Sequence, residues 1–302
     1  MPRLMQTTAF TALALIAFAS NSILTRLALA GRHIDAATFT LVRIAAGAAM
    51  LAVVVRVKGR AAPILIPRRR VGLASLAGPL ALFAYVAPFS FAYLRIGAAL
   101  GALVLFGVVQ ITMITWGVVR GERPTPRTWL GLALAVAGLA VLTLPSASRP
   151  DLLGIVLMCA AGIAWGIYSL RGKVAGNPLA ANASNFLWSV PLALVLSAAT
   201  LRQASATARG LALAVASGAV TSALGYALWY QALRGLTATR AAIVQLSVPV
   251  IAAFGAVVVL DETPSGRVVV SGVVVLGGVA LAMVARAPRS VDVIGRGRGH
   301  RP

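Results

Sequence analysis

The chain has 302 residues, 60% of them hydrophobic and 11% charged, with a mean hydropathy of +0.92. A water-soluble domain carries roughly a quarter charged residues, so this composition excludes a soluble enzyme or binding module and points to the lipid bilayer as the solvent. The net charge of +21, from 27 Lys and Arg against 6 Asp and Glu, falls mostly in short connections between apolar runs, where membrane topology accounts for it and nucleic acid need not be invoked.

Windows of about 20 residues place ten transmembrane helices along the chain. The first, 9–28, follows Met1-Pro2-Arg3; Ser20, Asn21, Ser22, Thr25 and Arg26 are too polar for a cleaved leader and mark a retained helix. The second, 35–55, carries Arg43 about 12 Å below its start at 1.5 Å per residue. Helices at 71–93 and 98–119 follow, then 128–144, which completes a first set of five. The sixth, 152–170, holds the sole cysteine, Cys159, which has no intramolecular disulfide partner. The seventh, 182–199, is interrupted by Pro191, and spans at 211–233, 238–260 and 268–284 complete the set. The Arg-rich tail, 287–302, reads as an end facing the lipid surface.

Basic residues alternate between the two sides of these spans. The side bearing both termini receives 19 Lys and Arg and the other side six, with Arg26 and Arg43 inside helices. By the positive-inside rule both termini are cytoplasmic, which makes this a multi-pass protein of the inner (plasma) membrane.

Displacing the sequence by 140 residues aligns Ala92 with Ala232, Ala98 with Ala238, Ala102 with Ala242, Glu122 with Glu262, Pro124 with Pro264 and Gly138 with Gly278. Each half then holds five spans, an odd number, so the second copy enters the membrane with opposite polarity. Inverted repeats of this kind are characteristic of secondary transporters that alternate access around a central site.

Phe18-Ala19-Ser20-Asn21 followed by Arg26, Arg43 in the second helix, Gly121-Glu122-Arg123, Trp165-Gly166-Ile167-Tyr168, Pro249 and Asp261-Glu262 together resemble the drug/metabolite transporter superfamily, in particular its ten-helix EamA-type members. Phe18 and Ala19 depart from that family's Trp-Gly pair, and Val109 stands where the fourth helix of the family has a proline. The resemblance implies an all-α membrane protein of ten transmembrane helices in two inverted five-helix repeats, 8–145 and 151–286. It also implies export of amino acids or other small metabolites by alternating access, through a central cavity bordered by helices one, three, four, six, eight and nine. A broad-specificity drug exporter and a non-transporting membrane scaffold are the alternatives.

The polar residues inside the spans are the candidate substrate contacts. Arg43 lies too deep to snorkel comfortably, so it holds a substrate carboxylate or pins the second helix. Arg26 reaches the outer end of its helix and either snorkels or meets substrate. Asn21, Gln110 and Gln245 either line the cavity or bond across helices. Tyr85, Trp165, Tyr168, Tyr226 and Trp229 are candidates to enclose substrate, with Trp165 and Tyr168, three apart on one helical face, the favoured pair. Asp35, Glu122, Asp151, Asp261, Glu262 and Asp292 all sit at span edges, in loops or in the tail, so no carboxylate is placed for intramembrane proton exchange. No His, Cys and Asp cluster suggests a metal, no cofactor is implied, and no nucleophile and base arrangement suggests an enzyme.

The charge asymmetry has a direct test. Cysteines introduced at residues 64 and 175 and in the tail should label from the cytoplasm, and those at 148 and 205 from outside. Labelling at 205 from the cytoplasmic side alone would overturn both the orientation and the inverted repeat.

Overall fold

The computed structural model describes residues 2–58, 73–144, 151–260 and 265–284. Asp261, Glu262, Pro264, the basic 59–70 connection and the tail lie outside the described residues. Lipid cannot hydrogen-bond a backbone, so each apolar run closes its own amides and carbonyls as a helix. Nine helices among the described residues are long and apolar enough to cross a membrane. We number the crossings α1 (Leu4–Ala30), α2 (Ala36–Val57), α5 (Pro126–Thr143), α6 (Leu152–Lys173), α7 (Pro178–Ala199), α8 (Ala208–Leu233), α9 (Ala238–Val258) and α10 (Gly266–Val284). The remaining helix, Leu76–Val119, is 44 residues long, about 66 Å at 1.5 Å per residue and twice what the hydrocarbon core needs.

Gly97 resolves that length. Its φ of 69° and ψ of 178° fall where glycine alone is at ease, and the chain reverses there. Trp165 on α6 packs on Tyr85, twelve residues before Gly97, at 4.9 Å between ring centroids. One residue further along α6, a Cβ at Gly166 would meet Thr112, fifteen residues after Gly97. Both ends of the long helix therefore lie beside the same stretch of α6, and it counts as two antiparallel legs, α3 (73–96) and α4 (98–119). The described residues thus hold ten apolar crossings. A turn with no loop residues is invisible to hydropathy, although the gap between the two predicted spans falls on it.

The starts of the helices are written locally. Asp35, Thr125, Asp151, Asn177, Thr207 and Thr237 each accept a hydrogen bond from an amide of the first turn that follows, satisfying donors a helix leaves open. Proline occupies the first turn of α5 and of α7, where its missing N–H costs nothing. The seventh helix starts at Pro178, four residues before the predicted span of 182–199.

Packing between helices relies on small residues, since lipid gives apolar side chains no reason to leave it. In α5 and α10, a Cβ on Gly131 would lie 2.4 Å from the Gly278 carbonyl oxygen, and one on Gly278 would lie 2.6 Å from the Gly131 carbonyl oxygen. These two backbones touch. Gly47 and Gly218 admit Phe186 and the Arg43 backbone in the same way around α2.

On the face opposite the N-terminus, the α1–α2 connection is bound to the α7–α8 connection. Ser205 N donates to Asp35 Oδ2 at 2.9 Å, Asp35 N to the Ser205 carbonyl at 2.9 Å and Thr207 N to the His33 carbonyl at 2.8 Å. Partial burial pushes the Asp35 carboxyl upward, but hydrogen bonds from Thr38, Ser205 and Ala37 outweigh it and hold the group below its ordinary 3.8. The stability this supplies is therefore present above pH 3.8 and is lost as pH falls through the lower folded value. Asp35→Asn should melt at lower temperature than wild type at pH 7 in thermal unfolding, and the gap should narrow progressively once the pH drops below 3.8.

Candidate functional site

A cavity of about 560 Å³ opens between the helices. Its mouth is formed by Ala98 and Ala99 at the start of α4, Val257 near the end of α9, and Ser265, Arg267 and Val268 at the start of α10, all at the face opposite the N-terminus. Its floor is aromatic. Phe18, Tyr85 and Tyr226 surround Trp165 with ring centroids 5.3, 4.9 and 4.8 Å from it, and Gln245 completes this level. Below the floor Val109, Met113, Ala241, Ala242, Ile243 and Leu246 are fully buried, so the cavity is closed toward the N-terminal face.

Of the residues singled out in the sequence, Asn21, Arg26, Tyr85, Trp165, Tyr226 and Gln245 line this cavity. Asn21 does two things at once: its Oδ1 accepts from Ser217 Oγ at 2.7 Å and from Thr221 Oγ1 at 3.2 Å, tying α1 to α8 while one side faces the cavity. Gln245 accepts from Trp165 Nε1 at 2.6 Å and donates to the Ala241 carbonyl at 2.9 Å. The indole is thereby fixed in orientation. Arg26 is exposed at the wide end of the cavity.

Arg43, Gln110, Tyr168 and Trp229 are set behind that lining. Gln110 Nε2 donates to the Ala242 carbonyl at 2.8 Å, joining α4 to α9. Tyr168 Oη donates to Asn182 Oδ1, and Trp229 Nε1 donates to Ser169 Oγ at 3.1 Å. Trp165 and Tyr168 do share a helical face, but Tyr168 lies one turn deeper, on the closed side. Sequence spacing gives a shared face and says nothing of where along that face a cavity ends.

Arg43 is fully buried. Its Nε donates to Ser222 Oγ at 2.9 Å and its Nη2 to Tyr226 Oη at 2.7 Å, while the guanidinium lies 5.7 Å from the Tyr85 ring centre and 6.0 Å from that of Phe89. Burying an ion costs several kcal/mol; two charge-assisted hydrogen bonds at about 1.5–3 kcal/mol each and ring contacts of about 1–2 kcal/mol offset that. Arg43 thus braces Tyr85 and Tyr226, two walls of the cavity, from behind. Its neighbour Ser222 belongs to a π-helical stretch of α8, Ser217–Leu224, whose wider winding carries Ser217, Thr221 and Ser222 toward α1 and α2.

Several lining residues escaped the sequence reading. Phe89 and Tyr93 look like ordinary apolar positions of α3, and Arg267 looks like one more loop charge. The signal for Arg267 was present in the charge tally, since the minority side has so few basic residues that each one near a helix start is informative.

The comparisons with known proteins agree with this architecture. The EamA-like transporter family matches residues 152–284. An uncharacterised protein of Pseudomonas aeruginosa is 46% identical over 285 residues, covering 94% of this chain and 97% of that one. A probable amino-acid metabolite efflux pump of Salmonella typhimurium is 28% identical over 225 residues, 68% of this chain and 75% of its own. A crystal structure at 18% identity superposes with a TM-score of 0.72 over 90% of this chain and 96% of its own, a likeness of fold.

The bracing role of Arg43 can be measured. Arg43→Leu should strip Tyr226 and Ser222 of their donor and lower stability by about 2–4 kcal/mol in detergent unfolding. Arg43→Lys, which restores a charged donor group without the two-pronged guanidinium geometry, should recover part of that loss. Wild-type stability in Arg43→Leu would remove the brace.

Proposed function

Because the chain belongs to the EamA-like transporter family of the drug/metabolite transporter superfamily, we propose that this membrane transporter exports amino acids or related small carboxylates by alternating access, with the N-terminal face in the cytoplasm. The observation that carries the substrate class is the charge of the cavity. Arg26 and Arg267 border its wide end, and no Asp or Glu contributes to its lining among the described residues. Two positive charges with no carboxylate in the described lining disfavour cations and favour zwitterions and anions.

The remaining lining divides by chemistry. Asn21, Ser22 and Gln245 offer neutral donors and acceptors, and the aromatic floor offers an apolar seat. A solute with a carboxylate toward the mouth and an uncharged body against Trp165 and Tyr226 matches both surfaces. The volume of about 560 Å³ is within the usual range for a small-molecule site. The name of the Salmonella typhimurium relative, a probable amino-acid metabolite efflux pump, supports this reading. Asn21, Arg26, Tyr85, Trp165, Tyr226 and Gln245 are its proposed substrate contacts, with Arg43, Gln110, Tyr168 and Trp229 in the supporting layer.

Cells overproducing the protein should tolerate an excess of at least one amino acid or metabolite carboxylate, and proteoliposomes should show its flux, while resistance to ethidium stays unchanged. Export of ethidium without flux of any zwitterion or anion would replace this reading with a broad drug exporter. No flux of any kind would favour the scaffold.

A further inference from the structure

The cavity reaches one face and is closed toward the other, and polar contacts cluster at that closed face. At the N-terminal face, the turn between α8 and α9 is gripped on both flanks. Lys173 Nζ, at the end of α6, donates to the carbonyls of Leu233 and Leu236. Glu122, just beyond α4, accepts from the amide of Ala238 through Oε1 at 2.6 Å and from that of Thr239 through Oε2 at 2.9 Å. A cation sits at the C-terminal end of α8 and an anion at the N-terminal end of α9, each opposite the helix pole it complements.

Glu122 can do this because of a glycine. A Cβ on Gly117 would come within 2.7 Å of Glu122 Oε2 and 3.2 Å of Thr239 Oγ1, so the carboxylate occupies space a side chain would fill. Displacing the sequence by 140 residues puts Val257 at the place of Gly117 and Ala98 at the place of Ala238. At the opposite face the sequence therefore carries a valine at the place that corresponds to Gly117. Val257 and Ala98 line the open mouth.

The helix gripped by Glu122 is built in two pieces. Its regular winding stops at Val244 and resumes at Ser247, with Pro249 in the first turn of the second piece. The first piece is buried against α4, and the second carries the cavity-lining Val248, Pro249 and Ala252. A break of this kind lets one piece swing without unwinding the other.

We propose that Glu122 is a positioning residue of the transport cycle: its carboxylate, seated in the space left by Gly117, latches the start of α9 and holds the N-terminal face closed while the opposite face is open. The inference rests on the alternating-access reading. Loading from the N-terminal side requires the latch to release.

Labelling with a membrane-impermeant maleimide, in right-side-out and inverted vesicles and in a Cys159→Ala background, tests this without knowledge of the substrate. Ala99→Cys reports the open mouth and Ala242→Cys the closed side. Wild type should label at 99 and resist at 242. Glu122→Ala and, with the charge untouched, Gly117→Ala should speed labelling at 242 about tenfold or more, as loss of a charge-assisted hydrogen bond shifts an equilibrium by that order, and slow it at 99. Glu122→Gln, which keeps one acceptor oxygen in place, should fall between. Unchanged rates at both positions overturn the latch, and so does acceleration at both, which is general loosening. A reciprocal shift in a protein that moves no tested solute sustains the latch and counts against the transport reading alone.

Discussion

The deep polar side chains of the described spans answer to one constraint: inside hydrocarbon a hydrogen-bonding group gains most from a partner within the protein, because the solvent offers none. Arg43 finds Ser222 and Tyr226, Asn21 finds Ser217 and Thr221, Gln110 finds the Ala242 carbonyl, Tyr168 finds Asn182, and Trp165 finds Gln245. Each bond crosses from one helix to another. The polar residues therefore fix which helices are neighbours and at what height, a task that apolar contact cannot perform where lipid is as apolar as leucine. The cavity lies among these pairings, and Asn21, Trp165, Tyr226 and Gln245 on its lining each take part in one.

This division explains why the candidate site was only partly legible in the sequence. An Arg, Asn or Gln within an apolar run calls for a partner, and Arg43, Asn21, Gln110 and Gln245 each bond to a neighbouring helix. The run itself cannot say whether the partner is substrate or a neighbouring helix. Arg43 and Arg26 differ by seventeen positions, and both look like charges inside spans. One is enclosed by α2, α3 and α8, whereas the other stands at the cavity's wide end. That difference arises from tertiary contacts separated by well over a hundred residues, such as Arg43 with Ser222.

The fold was more legible because its signals are local. Hydropathy places the spans, and Asp, Asn and Thr mark helix starts. The one ambiguity, nine continuous helices or ten crossings, turns on Gly97, where a single residue in a glycine conformation does the work of a loop. The pattern of glycines elsewhere carries two different messages. Gly117 makes room for a carboxylate, while Gly131 and Gly278 make room for each other's backbone. Both look the same in a list of small residues.

The contact between α5 and α10 has a mechanical meaning. Where Gly131 meets Gly278 the two helices touch through backbone, so their separation at that crossing cannot relax by rotamer changes, while two turns along α5 Gly138 packs against the side chains of Val274 and Val275. Neither helix contributes to the aromatic floor. The distance between α5 and α10 is thus set at one point by the thickness of two peptide chains, the smallest separation two helices can have, and any larger residue at either glycine would have to part them.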